Sequence, residues 1–219
     1  MNGLTLRARL FRKMIFRAWK SNVLSGTKAL VANVRYESPE IVTSPEPVIF
    51  FTTFTTPAEF VVLSSLFREK DLTFIAPRNL PNNKHFRITR SVNHVIFSDE
   101  QLGFRFLRQL LSALRNFNRS LVISPFAAAT YAPSIPVDPG VIVRIAMLAN
   151  VSIVPVAFRW FSKQCEVHVG KKIFISPQSS EFKDILFETR GTKKLMSLSR
   201  KNSEEIGSRI FSKIQMVEV

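Results

Sequence analysis

Cysteine, histidine and acidic residues are all scarce in this chain, and each shortage removes a class of function. A single cysteine, Cys165, forbids an internal disulfide and offers only one thiolate to a metal, so no disulfide scaffold and no metal centre are expected. The histidines are three, His85, His94 and His168, which limits the imidazoles available as a base. Long apolar runs are missing too. The longest, 48–54 and 153–158, fall far short of the roughly 20 residues a spanning helix needs, which predicts no transmembrane segment. Basic residues recur throughout 4–24 and interrupt any signal-peptide core, so the chain is expected to stay cytoplasmic, peripheral on the inner face of the cell membrane.

What is present is apolar bulk and positive charge. Hydrophobic residues make up 46% of the 219, enough to exclude disorder and to fill the core of one ordinary domain. Lys and Arg number 31 against 16 Asp and Glu, a formal charge of +15 that favours anionic partners, acidic lipid or nucleic acid. Nucleic acid rests on that charge alone: the sequence has no recognition helix, zinc spacing or aromatic platform, and nucleic acid is set aside as a partner.

The segment 4–24 has a helical stripe. At about 100° per residue, Leu4, Ala8, Leu10, Phe11, Met14, Ile15, Ala18 and Trp19 share one half of the wheel, and Arg9, Arg12, Lys13, Arg17 and Lys20 the other; Arg7 and Phe16 fall on the wrong sides. Apolar bulk opposite cations suits a helix lying in an anionic membrane interface, and Arg9, Phe11, Arg12, Lys13, Ile15, Arg17, Trp19 and Lys20 are the expected membrane contacts. A helix packed on the domain with a solvated basic face has the same pattern.

Beyond Ser25-Gly26, short apolar runs alternate with helical stretches. Strands are expected at 31–36, 48–51, 72–76, 92–97, 121–124, 153–158 and 167–175. A helix is expected at 99–116, opened by Ser98 and Gln101 at capping-box spacing, with Leu102, Phe106, Leu110 and Leu114 along its buried face. Others are expected from Pro139-Gly140 to Ala149, capped by Asp138, and over 202–214. The predicted fold is α/β: one domain, a mostly parallel central sheet with helices on both faces, preceded by the basic amphipathic helix. The division is 1–25 for that helix and 26–219 for the α/β domain.

Several segments carry a resemblance. The strand Val48-Ile49-Phe50-Phe51 with the following Thr52-Thr53-Phe54-Thr55-Thr56-Pro57-Ala58-Glu59, the strand Leu121-Val122-Ile123-Ser124-Pro125, and above all the stretch from Pro139-Gly140 through Ile153-Val154-Pro155-Val156 to Trp160 resemble the motif blocks of the lysophospholipid acyltransferase superfamily, in its poorly characterised bacterial branch. The resemblance runs from about Phe11 to Val169. It implies acyl transfer from acyl-CoA or acyl carrier protein to a lysolipid-type acceptor, with no bound cofactor. In that family the first strand leads to a histidine followed five positions later by a carboxylate that orients it. Here the histidine position holds Phe54, and Glu59 keeps the acidic one. The loop after Pro125 reads Phe126-Ala127-Ala128-Ala129-Thr130 in place of the family's acidic, glycine and arginine residues.

Phenylalanine has no lone pair to accept a proton, so the resemblance implies an impaired or inactive relative. Glu59 is the candidate catalytic carboxylate, although a carboxylate in a helix's first turn also complements the helix dipole. His85, read as part of a polar loop after Pro81, is the candidate substitute base. Pro125, Phe126, Thr130, Arg87 and Arg90 are the candidate substrate contacts, the two arginines belonging to a cluster that also suits a solvated face. Cys165, read as lying near a strand edge, is expected to be structural. The alternative function is a non-catalytic lipid-binding or scaffold protein on the same fold.

Overall fold

The computed structural model describes residues 30–52, 58–77, 84–98, 104–123, 139–161 and 163–175. The N-terminal stripe, the caps Ser98 with Gln101 and Asp138, and the helix expected at 202–214 lie wholly or partly outside them.

Strands and helices alternate in chain order: β1 (Val31–Tyr36), α1 (Glu40–Thr43), β2 (Val48–Thr52), α2 (Ala58–Leu66), β3 (Leu72–Pro77), α3 (Lys84–Val92), β4 (His94–Ser98), α4 (Phe104–Arg115), β5 (Ser120–Ile123), α5 (Pro139–Ala149), β6 (Ser152–Phe161) and β7 (Gln164–Val169). They build a seven-stranded sheet in the order β1-β7-β6-β2-β5-β3-β4. Every neighbouring pair is parallel except β6 with β7, which form an antiparallel hairpin. The predicted α/β class with a mostly parallel sheet is therefore what the chain forms.

Alternation along the strands divides the core in two. Ile49, Phe51, Ile75, Leu121, Ile123 and Ile153 point to the face covered by α4 and α5, where Phe106, Leu110, Leu114, Ile142 and Ile145 are buried. Phe50, Phe74, Val122, Val154 and Val156 point to the other face and meet Phe60, Leu63 and Phe67 from α2 and the turn after it. Because central strands are buried on both faces, they read as continuous apolar runs, and β2 is buried at all its positions. Phe50 and Phe67 bring their ring centroids to 4.3 Å.

Local chemistry sets the ends. α5 stops at Asn150, whose φ is 57°, and Val151 N–H donates to the Ala146 carbonyl at 3.0 Å. This left-handed closure, which Asn tolerates better than most residues, turns the chain directly into β6. Pro155, a residue without an N–H, is tolerated in β6 where the β7 ladder ends, since β7 pairs only from Val156 onward. The chain passes tightly there: Gly170 N–H donates to the Pro155 carbonyl at 2.9 Å, and a Cβ on Gly170 would come within 3.0 Å of the Pro155 ring.

Three local expectations need correction. Residues 84–92 form α3 rather than a polar loop, so His85 lies in a helical first turn and Val92 ends a helix instead of opening a strand. The cause is a buried stripe, Ile88 and Val92 four residues apart, packing on Val61 of α2. The last strand is Gln164–Val169, not 167–175: its ladder stops at Gly170, and Ile173 returns only as a single bridge to Ile153. Cys165 is therefore a fully buried residue inside β7 rather than at a strand edge.

Candidate functional site

In open parallel sheets, ligands bind beyond the carboxyl ends of the strands, where the strand order reverses. Here that reversal flanks β2, because the chain leaves β2 for β3 on one side and comes back from β5 to β6 on the other. Thr52 ends β2 at this point, buried, and its hydroxyl has no hydrogen-bond partner among the described residues.

Glu59 stands in the first turn of α2, on the same side of the sheet. Its side chain is fully buried, which is costly for a carboxylate unless donors replace the lost water. One donor comes from far along the chain: Trp160, near the end of β6, gives its indole Nε1–H to Glu59 Oε1 at 2.8 Å. Trp160 is paired in register with Cys165 across the hairpin, and the Glu59 charge acts on that thiol. The buried carboxylate and thiol thus share one polar cluster with the half-buried indole. Burial first, and the nearby Glu59 charge second, push the Cys165 thiol up to about 11.

That shift has a sign that can be checked. Above the ordinary thiol pKa the unfolded chain loses its proton while the folded chain keeps it, so stability falls as pH rises from about 9 to 11. Urea unfolding across this range is expected to show an extra loss of order 1–2 kcal/mol that Cys165→Ala removes, which separates it from the titration of lysines such as Lys70. In the native state the buried thiol is expected to resist thiol reagents at neutral pH.

Two histidines lie elsewhere. His94 opens β4, at the amino end of the outermost strand, and burial followed by the Arg119 charge lowers its pKa. His168 faces the opposite side of the sheet from α2, in a shallow cavity of about 130 Å³ lined by Arg35, Arg159 and Glu166, with its Nε2 at 3.2 Å from a Glu37 carboxylate oxygen. Of the candidate substrate contacts, Arg87 and Arg90 are exposed on α3, and the Arg90 guanidinium lies 5.8 Å from the centroid of the Phe97 ring. Phe54, Pro125, Phe126, Thr130 and the N-terminal membrane contacts fall outside the described residues.

Sequence reasoning had singled out Glu59 but not Trp160. The indole was visible only as the end of an apolar strand; nothing at a separation of 101 residues announces a hydrogen bond.

No family model and no curated protein sequence matches the chain. The architecture does have a solved counterpart. It is shared with the crystal structure of the 1-acyl-sn-glycerophosphate (LPA) acyltransferase PlsC from Thermotoga maritima, at 16% identity and a TM-score of 0.52, over 95% of this chain and 84% of that one.

Proposed function

We propose that the chain is a membrane-associated, acyltransferase-like protein that holds a lysophospholipid-type lipid beyond the carboxyl edge of its sheet and does not run histidine-dependent acyl transfer. The observation that carries this reading is the state of Glu59: a fully buried carboxylate that accepts the Trp160 indole N–H, five residues after a phenylalanine where the family resemblance expects an imidazole. A general base must reach the acceptor hydroxyl, and Phe54 offers no atom to take its proton. The fold shared with a glycerophosphate acyltransferase supports the lipid class, and the +15 charge supports an anionic headgroup.

Among the described residues no helix is long and apolar enough to cross a membrane, which is compatible with peripheral attachment to the inner face through the basic segment 1–25. In this reading an acyl thioester of coenzyme A or of acyl carrier protein is at most a ligand. Retention of the fold for lipid binding alone, as a lipid-dependent scaffold, is the form of the proposal that Phe54 favours.

Lysophosphatidic acid titrated below its micelle concentration is the direct test, followed by tryptophan emission from Trp160. Saturable binding that Trp160→Phe abolishes as a signal is the expected result. An absence of saturable binding by any readout, calorimetry included, removes the proposal.

A further inference from the structure

On the β2 side the β6–β7 hairpin runs past the end of its neighbour, while on the other side β1 accompanies β7 as far as Val31 opposite Cys165. Thr52, the last residue of β2, pairs with Val156, so residues 157–161 of β6 continue alone with β7 for about 16 Å at roughly 3.3 Å per residue. At the far end Phe161 is 46% exposed. The Arg159 guanidinium sits over its ring, 5.0 Å from the centroid, and Lys163 is exposed across the turn. An exposed aromatic ring under a guanidinium, with a second exposed cation at the turn, lies at the carboxyl edge of the sheet and has the chemistry of an interfacial anchor. The ring can enter the acyl boundary while the cations meet lipid phosphates.

A second observation points the same way. β1 runs parallel to β7, with Val31 paired to Cys165 and Cys165 paired to Trp160, so the chain joins the described fold beside this hairpin. Leu30, where the described residues begin, follows the stretch of sequence that carries the basic and aromatic stripe.

We infer that the tip of the β6–β7 hairpin, through Phe161, Arg159 and Lys163, docks on an anionic lipid bilayer and turns the mouth of the Glu59 site toward it. The inference rests on the lipid reading of that site, and it names the surface by which the site reaches its lipid. The opposite edge supplies an internal control. Phe117, 63% exposed, also has an arginine over its ring, Arg119 at 5.4 Å, but it precedes β5 at the amino edge of the sheet and would face away from the bilayer.

The full chain is sedimented with phosphatidylcholine vesicles with and without about one-third phosphatidylglycerol, free of lysolipid and acyl donor. Binding to the acidic vesicles is expected, weakened about tenfold by Phe161→Ser and left within about twofold by Phe117→Ser. Phe161→Cys bearing an environment-sensitive dye is expected to shift to the blue on acidic vesicles; Cys165 is buried and leaves the introduced thiol as the labelled one. No sedimentation, equal effects of the two serine variants, or unshifted dye on bound protein each overturns the proposal. So does duplex DNA that binds the chain and depends on Phe161 to the same degree, which would make the tip a general polyanion site. Because no lysolipid is present, loss of lysolipid binding and loss of bilayer docking are read separately.

Discussion

Trp160→Phe is expected to lower the unfolding free energy by about 1.5–3 kcal/mol, and Trp160→Ala by about 3 kcal/mol or more. The phenylalanine variant keeps most of the ring's packing and removes one N–H. What it leaves behind is a carboxylate with no solvent exposure and one donor fewer, at the foot of α2. Leaving a buried charge short of a partner costs more than the net worth of the bond itself. Alanine adds the loss of indole contacts with the apolar layer under α2. Urea midpoints at constant m-value measure both, and Glu59→Gln combined with Trp160→Phe closes the cycle. A coupling below a few tenths of a kcal/mol would mean the indole does not hold the carboxylate, and Glu59 would regain its standing as a candidate catalytic carboxylate.

With acyl-CoA or acyl-acyl carrier protein and a lysophospholipid, product formation by the natural chain is expected to match the protein-free control. A positioned general base contributes about 10²–10⁴ in rate, and the position the family resemblance assigns to it holds Phe54. Phe54→His returns an imidazole five residues before Glu59 and is expected to give turnover above background that Phe54→His combined with Glu59→Gln lacks. The gain is expected to stay well below that factor, since the alanines following Phe126 supply no cation for a phosphate. Steady turnover by the natural chain, lost in Glu59→Ala, would refute the inactive reading outright.

The two results bear on one question, what Glu59 is for. In a working triad-like arrangement the carboxylate orients an imidazole. In this chain it accepts the Trp160 indole N–H at 2.8 Å. That bond ties the β6–β7 hairpin to α2, and the two measurements decide whether the position the family resemblance assigns to chemistry serves structure instead.

The amino-acid sequence by itself determined the α/β class, because short runs such as 48–51 and 121–123 are apolar at successive positions, as strands buried on both faces are, and alternate with longer helical stretches. It determined the Phe106, Leu110 and Leu114 face of α4, since helical spacing is a local property. It also showed the phenylalanine at position 54 and the excess of positive charge. Tertiary structure alone decided the strand order, the reversal of β7 against β6, the helix at 84–92 and the bond between Glu59 and Trp160. An apolar run states that it is buried, not against which neighbour, and short segments such as α3 become helical through the surface they cover more than through their own propensity.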